Sequence, residues 1–562
     1  MVFTSVAHLP GGFFHWAFDR NALPQFLALV LLSSFCALHL IISKRVLNLP
    51  RVITFSLIGL FLSTLISILT SHNFYTGLTG DAGRFTGLVS LYALVIVAIW
   101  GANLGGDEWE SVFRFILISI VLVDLIGFGQ SLHLYALPGD GGIGSTLGNL
   151  DFLSAWMGTT TILIFVHKSS RRAIEISKYL LLPIIIFTLI RIGAKQGILD
   201  FILLLPFLIG YRFRNLLKRM AFAQGFWTSL ISVGLIMWCE VIYLTPMAKV
   251  PIPGVAGDPN VDIRSDFWFS GITIFFKNIL FGVGPDNYGY YYEQYRSLHS
   301  VKTAESVITN DAHSSMVQSF ATLGIFAVLI FLLLLLYLVR SYVQLLAEST
   351  HRRRYGFLAV FSFIFMTNSL ISPITLPNKA IFWLISGFVI GQAHRPRSIR
   401  FKTWRKGAVG IIAAISLFVG ANTATAFVKM NFADDASHSK NGKVSYSFNP
   451  YLPCVLYFSK QIDLSVQAGK DPIVVAQAQV SANPRCLDAQ LYLANAFLTK
   501  RDVKSARKPI YALLEIAPAR KEIIRLAAIY AIQAKDSTLL QRISASGLHL
   551  TYDKKSGKIL IS

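Results

Sequence analysis

Residues 315–339 read SMVQSFATLGIFAVLIFLLLLLYLV, a run without a charged side chain. An α-helix needs ~20 apolar residues to cross ~30 Å of hydrocarbon, so this run predicts a membrane span. The whole chain has the same character: 562 residues, 54% hydrophobic, 14% charged, with a mean hydropathy of +0.56. Such a composition is typical of a polytopic membrane protein and argues against a soluble multidomain enzyme.

Twelve apolar runs together predict an all-α, polytopic transmembrane helical bundle of about 12 helices. They lie near 22–43, 52–70, 86–103, 112–134, 152–166, 179–190, 198–210, 226–246, 315–339, 357–371, 380–393 and 408–427. The sixth and seventh runs are short. We expect a transmembrane domain at 1–427, with a large external loop at 247–312, and a soluble α-helical repeat domain at 428–562.

The formal net charge of +22 is distributed by topology. Lysine and arginine cluster in alternate connections, at 44–51, 168–178, 212–219, 340–354 and 395–406. By the positive-inside rule these connections are cytoplasmic, and the charge therefore does not indicate nucleic-acid binding. The remaining connections and the tail after residue 428 are then external. This alternation starts the first helix outside, so either the N-terminus is translocated by itself or a preceding helix is missing.

The tail shows a repeat of 34 residues. Asn449-Pro450, Asn483-Pro484 and Ala517-Pro518 follow one another at that spacing, which is the period of tetratricopeptide helix pairs. About three such units would form a short solenoid suited to contact with a protein partner. An unrelated helical cap is the alternative. Cys454 and Cys486 also lie in the tail, where an oxidising compartment permits a disulfide; the sequence leaves their pairing open.

Four external residues are candidates for chemistry. Arg191 and Lys195 stand between the two short apolar runs, and a cation at membrane depth marks a functional cavity or snorkels to lipid phosphates. Arg264 opens the large loop before an aromatic, amphipathic segment; it either binds a phosphate or anchors that segment at lipid headgroups. His313 closes the loop and is either a general base or an ordinary surface histidine.

Other chemistries lack their signatures in the sequence. We find no Walker loop, metal-ligand cluster, dinucleotide fingerprint, Gly-x-Ser-x-Gly elbow or external Asp-x-Asp. We therefore expect an enzyme without metal or cofactor, acting through cations and a base. Asp124 and Glu240 are intramembrane carboxylates that keep a secondary transporter or flippase open as an alternative.

Taken in order, the external motifs resemble those of the O-antigen ligase and polymerase superfamily of bacterial membrane proteins. The resemblance covers about residues 20–395. Lysine stands at 195 where many members carry arginine, so either Lys195 or Arg191 is the equivalent cation. The motifs are Gly80-Asp81-Ala82-Gly83-Arg84-Phe85-Thr86-Gly87, Gly148-Asn149-Leu150-Asp151, Lys195-Gln196-Gly197, Arg264, Gly282-Val283-Gly284-Pro285 and His313.

The resemblance implies a GT-C-like fold in the bacterial cytoplasmic (inner) membrane, with the tail extracytoplasmic. It implies transfer of an undecaprenyl-diphosphate-linked glycan to a glycan, lipid or protein hydroxyl. Arg264, Arg84 and Lys195 or Arg191 would bind the diphosphate, and His313 would take the acceptor proton with inversion at the anomeric carbon. Ligase, polymerase and protein O-oligosaccharyltransferase share this donor chemistry. A third class, an envelope scaffold organised by the tail, would need residues 428–562 but not His313.

Overall fold

The structure is a computed structural model that describes most of the chain. The described residues are 21–43, 49–81, 83–135, 143–166, 172–212, 259–297, 300–301, 309–394, 403–439, 442–545, 550–553 and 558–561. The predicted eighth helix at 226–246, with Glu240, lies outside them.

Helices occupy the other eleven predicted ranges. They are α1 (Ala22–Ile42), α2 (Arg51–Leu69), α4 (Leu88–Ala102), α5 (Gly106–Ser131), α6 (Leu150–Thr160, continued by a 3-10 turn at Thr161–Phe165), α7 (Arg172–Ile192), α8 (Lys195–Arg212), α11 (Ser315–Glu348), α12 (Arg352–Ile371), α13 (Leu376–Ala393) and α14 (Thr403–His438); a short α3 spans Phe74–Thr79. Within the described part, six of these are long and apolar enough to cross a membrane.

The two short runs of the sequence belong to longer helices. α7 has 21 residues and α8 has 18, because both extend into their basic flanks. At 1.5 Å per residue these helices measure about 31 and 27 Å, close to the thickness of the hydrocarbon layer. The turn that carries Arg191 and Lys195 therefore has no need to dip into the membrane, and its depth no longer argues for a cavity there.

The described part of the large loop contains two helices, α9 (Pro259–Lys277) and α10 (Tyr288–Tyr295). The segment between them docks onto a break in α11. Gly324 adopts φ +72° inside α11, where a Cβ would lie 2.4 Å from the carbonyl oxygen of Leu280, so only glycine fits. The break frees carbonyls of α11, which accept the N–H groups of Val283 (3.1 Å) and Gly284 (3.0 Å). The Gly-Val-Gly-Pro motif is thus a backbone clasp onto α11.

The tail consists of successive helix pairs followed by a β-hairpin. Its elements are α15 (Cys454–Gln467), α16 (Pro472–Ala482), α17 (Leu487–Thr499), α18 (Val503–Ile516), α19 (Lys521–Ala534), α20 (Ser537–Ala545), β1 (Leu550–Asp553) and β2 (Lys558–Ile561). β1 and β2 pair antiparallel, and this small sheet is an addition to the predicted all-α fold. The assignment of these helices as tetratricopeptide repeats stays a prediction.

Cys454 and Cys486 form a disulfide, with Cα atoms 5.9 Å apart. Both side chains are buried in a core that the tail shares with the loop. That core joins Phe458, Val475 and Leu493 of the tail to Phe267 and Tyr292 of the loop. Helix α14 also runs unbroken across the proposed boundary at 427–428. The tail therefore packs against the external loop and follows α14 without a break, and the domain division at 427–428 stays a prediction.

Contacts at the two ends of the bundle separate the predicted outer and inner connections. At one end, Arg84 contacts Asn310, and Tyr290 of the loop contacts the tail through Arg485. At the other, Arg354 pairs with Glu110, and Lys406 donates to the carbonyl of Ser43. The segments predicted to be external thus lie at one end of the bundle, and which end faces the cell exterior stays a prediction.

Candidate functional site

Two loops far apart in sequence are joined at the predicted outer end by Asp286, which follows the Gly-Val-Gly-Pro motif. Its carboxylate accepts the backbone N–H groups of Asp81 (2.7 Å) and Thr86 (3.3 Å) and the Thr86 hydroxyl (2.9 Å). Burial raises the pKa of Asp286, and the hydrogen bonds from Asp81 and Thr86 lower it. Three donors on one carboxylate hold the 80–87 loop in a defined shape, which fixes where Arg84 projects.

Arg84 reaches from this loop to the segment before α11. Its Nε donates to Oδ1 of Asn310 at 3.1 Å, and a terminal nitrogen lies 3.8 Å from the Asp311 carboxylate. The guanidinium also lies 5.9 Å from the ring centre of Phe152. The loop that carries Arg84 and the segment that carries His313, predicted separately from the sequence, are therefore in direct contact.

His313 is held by its own loop. Its backbone adopts φ +53°, and its N–H donates to Oδ1 of Asp311 at 2.6 Å. Its ring Nδ1 lies 3.1 Å from the carbonyl oxygen of Asp311. A carbonyl can only accept, so Nδ1 carries the proton and Nε2 keeps its lone pair. The Phe267 ring packs 5.0 Å from the imidazole and limits its rotation. This arrangement leaves Nε2 as a basic nitrogen.

The electrostatic surroundings keep His313 neutral. Burial lowers the pKa of His313 from its ordinary 6.5, and the Asp311 carboxylate opposes that shift. Arg84 and Arg264 lower the pKa further. Both predicted cations are thus close enough to His313 to affect its pKa. A neutral histidine among cations can accept a proton at neutral pH.

Arg264 lies in α9, half-buried, at the outer end of α12. A terminal nitrogen stands 3.5 Å from the carbonyl oxygen of Ile371, at the limit of a hydrogen bond. The neighbouring Phe267 and Trp268 are buried against the protein, so α9 does not lie freely along the lipid interface. In the same helix, Phe267 contacts the His313 ring, so α9 contributes both residues to this end of the bundle.

Lys379 was missed in the sequence and belongs to the same site. It lies in the first turn of α13, half-buried, and interacts electrostatically with Asp311, Asp286 and Arg84. The sequence signal was a lysine directly after Leu376-Pro377-Asn378, at the external start of an apolar helix. A cation at a predicted membrane boundary indicates a candidate site residue, as it does for Arg264.

A cavity of about 380 Å³ opens beside these charges and continues between the helices. Its polar end is lined by Arg84, Asp286, Asp311 and Lys379. Its walls further in are apolar and come from α2, α4, α11, α12 and α13. On α4 the lining runs from Ser90 to Ala102, about 18 Å at 1.5 Å per residue. The cavity thus combines a polar mouth, with two cations and two carboxylates, with a long apolar channel.

Two other predicted cations stand apart or cannot be described. Arg191 is exposed at the end of α7, where it donates to Nε2 of His133 at 3.0 Å, and it does not line this cavity. The side chain of Lys195 lies outside the described part. Asp124 is fully buried in α5 beside Trp156 and does not line the cavity. Among the described residues, no three His, Cys, Asp or Glu side chains are grouped as metal ligands.

Residues 180–332 match the family model of the O-antigen ligases. This region is therefore similar to the O-antigen ligases. It covers about a quarter of the chain and includes Arg191, Lys195, Arg264 and His313, whereas Arg84, Lys379 and the tail lie outside the match. A comparison with curated proteins gives no match. This similarity and the apolar helices support a multi-pass membrane glycosyltransferase in general.

Proposed function

We propose that the protein transfers a glycan from an undecaprenyl-diphosphate carrier to an acceptor hydroxyl at the outer face of the bacterial cytoplasmic membrane. The observation that carries this proposal is the cavity, whose polar mouth holds Arg84 and Lys379 next to the loop of His313 and whose interior is apolar. A polyprenyl diphosphate has the complementary form, with a dianionic head and a long hydrocarbon chain.

The cations have a defined part in this reaction. Arg84, Arg264 and Lys379 bind the diphosphate and stabilise the negative charge that grows on it as the bond to the sugar breaks. These cations stabilise that charge strongly because the site is half-buried and because the cations are already in position before the reaction. Lys195 and Arg191 stay candidates for the same role, and Arg191 is the less favoured because it is exposed beside His133.

His313 is the proposed general base. The acceptor oxygen attacks the anomeric carbon, its proton passes to Nε2 of His313, and the bond from that carbon to the diphosphate oxygen breaks. The polyprenyl diphosphate leaves with the bonding electrons, and one direct displacement inverts the anomeric centre. The reaction balances with no further reactant. A positioned base of this kind contributes typically 10²–10⁴-fold in rate.

The test is transfer by the purified protein in lipid vesicles. Undecaprenyl-diphosphate glycan is supplied with a lipid, glycan or protein acceptor, and the product is identified by mass spectrometry. This readout separates a ligase, a polymerase and a protein O-oligosaccharyltransferase. We expect His313→Ala to keep donor binding and lose turnover, and Arg264→Ala to weaken donor binding as well. Full turnover in the His313 variant would refute the general-base assignment.

Two alternatives make opposite predictions. A transporter would depend on Asp124 or Glu240, and an envelope scaffold would require the tail but not His313. The burial of Asp124 beside Trp156, outside the cavity lining, favours a structural role for that carboxylate. In cells we therefore expect Asp124→Asn to keep the surface glycan, and His313→Ala and Arg264→Ala to lose it. Loss of surface glycan in the Asp124 variant, with none in the His313 and Arg264 variants, would support transport.

A further inference from the structure

Arg485 of the tail is inserted into the external loop. Although it is an arginine, it is only 5% exposed. Its Nε donates to the carbonyl oxygen of Tyr290 at 3.0 Å, and one terminal nitrogen donates to Oε1 of Gln294 at 2.7 Å. The other terminal nitrogen pairs with Glu515 at 3.2 Å, and the guanidinium lies 4.0 Å from the ring centre of Tyr291. Three of these four interactions of the Arg485 guanidinium are thus with α10.

α10 in turn supports the segment that carries the site residues. Gly289 approaches the backbone of Asn310 so closely that a Cβ would lie 2.9 Å from the Asn310 Cα. Asn310 accepts the hydrogen bond of Arg84. The Tyr290 hydroxyl accepts a hydrogen bond from Thr76 (3.4 Å), in α3 just before the 80–87 loop. A displacement of α10 would therefore move both loops of the site.

A second contact leads from α10 to the histidine. The Tyr288 hydroxyl donates to the carbonyl oxygen of Phe267 at 2.6 Å, and the Phe267 ring packs against His313. The turn that carries Arg485 is itself fixed, because the next residue, Cys486, is bonded to Cys454. A continuous set of packed contacts thus joins the tail to the imidazole.

We propose that the tail is part of the transfer site and that Arg485 is a positioning residue, which acts through α10 on Arg84 and His313. This inference rests on the proposed function. A buried guanidinium is costly unless its hydrogen bonds are satisfied, and here the loop supplies most of the acceptors. Loss of Arg485 would leave α10 without its fixed position while the tail keeps its own core around Ile510 and Ala527.

The experiment compares Arg485→Ala with Arg507→Ala in the full chain, in vesicles. Arg507 is a matched control, since it is an exposed arginine of the same tail that lies over Tyr511, within its own helix. We measure kcat and KM for the lipid-linked donor, and amide hydrogen exchange across 309–314. We expect Arg485→Ala to lower kcat at least 10-fold with KM changed less than threefold and to speed exchange at 309–314. Arg507→Ala should change neither.

Each result decides the matter. Equal behaviour of the two variants overturns the proposal, as does faster exchange with unchanged kcat or a loss of kcat with unchanged exchange. Gln294→Ala, which removes one acceptor only, gives the same comparison if Arg485→Ala does not fold, and Arg485→Lys should restore part of kcat. If the unmodified protein transfers no glycan, the proposed function fails, whereas the exchange measurement still tests the coupling.

Discussion

The Asp286 carboxylate accepts the backbone N–H of Asp81 at 2.7 Å and so joins two loops that lie 205 positions apart. One loop docks onto the break in α11, and the other carries Arg84. The position of Arg84 is therefore set by the hydrogen bonds that hold the backbone of its loop as well as by the contacts of its own side chain. Fixed donors and cations are what a site needs to stabilise charge in a transition state.

Substitution of the Asp286 carboxylate should impair the site even though the cations Arg84 and Lys379 remain. In Asp286→Asn, an amide N–H₂ competes for the position that now accepts from Asp81 and Thr86, and an unsatisfied buried donor costs ~1–3 kcal/mol. We expect transfer to fall about 10- to 100-fold, by the usual 1.36 kcal/mol per decade. Thr86→Val, which removes a single hydroxyl, should lose less. Equal losses in the two variants would argue against the clasp.

The rate should depend on pH through His313. Because its pKa lies below 6.5, the base is neutral at pH 7, and the acid limb of kcat/KM should fall below pH 6.5. Arg264→Gln removes a cation that lowers the pKa and should move the limb to higher pH. Asp311→Asn removes the opposing carboxylate and should move it to lower pH. Shifts of the opposite sign would contradict the proposed electrostatics.

Among the cations, Lys379 should matter more than Arg191. Lys379 faces the polar end of the cavity, whereas Arg191 is exposed beside His133. A charge-assisted hydrogen bond contributes ~1.5–3 kcal/mol, so Lys379→Ala should weaken binding of the diphosphate donor about 10- to 100-fold. Lys379→Arg should retain part of the affinity, and Arg191→Ala should stay within about twofold. Titration with donor in vesicles measures all three; a large loss in the Arg191 variant would reverse the assignment.

The apolar channel should select for chain length in the donor. Leu335 lines the cavity, and its neighbour Leu336 is 67% exposed and does not line it. Leu335→Trp should fill the channel and weaken binding of a long-chain polyprenyl diphosphate at least 10-fold while sparing a short-chain analogue. Leu336→Trp provides the matched control with the same added volume. If both substitutions weaken the long-chain donor equally, the chain does not bind in this channel.

The sequence predicted the helices because a membrane span is a local property. Hydrophobic runs such as 315–339 specify their own helix, and alternating basic connections specify which ends face together. Arg264 and His313 were predicted for the same reason, since polar residues at predicted membrane boundaries are few, and Arg84 was predicted from the family resemblance. Their predicted placement at the same end of the bundle suggested a common site.

The rest depends on contacts between distant segments. Nothing local in Pro285-Asp286 indicates that the carboxylate binds the 80–87 loop, and Lys379 is not among the cations predicted from the sequence. Arg485 stands at a repeat boundary, and its burial by α10 follows only from how the tail packs. The unbroken α14 was also not foreseen, because the hydrophobic pattern ends at Phe427 while helical backbone continues to His438.

Because α14 is continuous, the orientation of the tail depends on the number of residues in that helix. Beyond Phe427, Asp434 of α14 pairs with Lys460 of α15, so the rotation of α14 about its axis sets the direction of everything that follows. One residue inserted within α14, between Phe427 and Asp434, would turn the tail by about 100° about the helix axis and move it along that axis by about 1.5 Å. Arg485 would then no longer face Tyr290. A seven-residue insertion nearly restores the angle but lifts the tail by about 10 Å, so neither change should leave the loop and the tail in register.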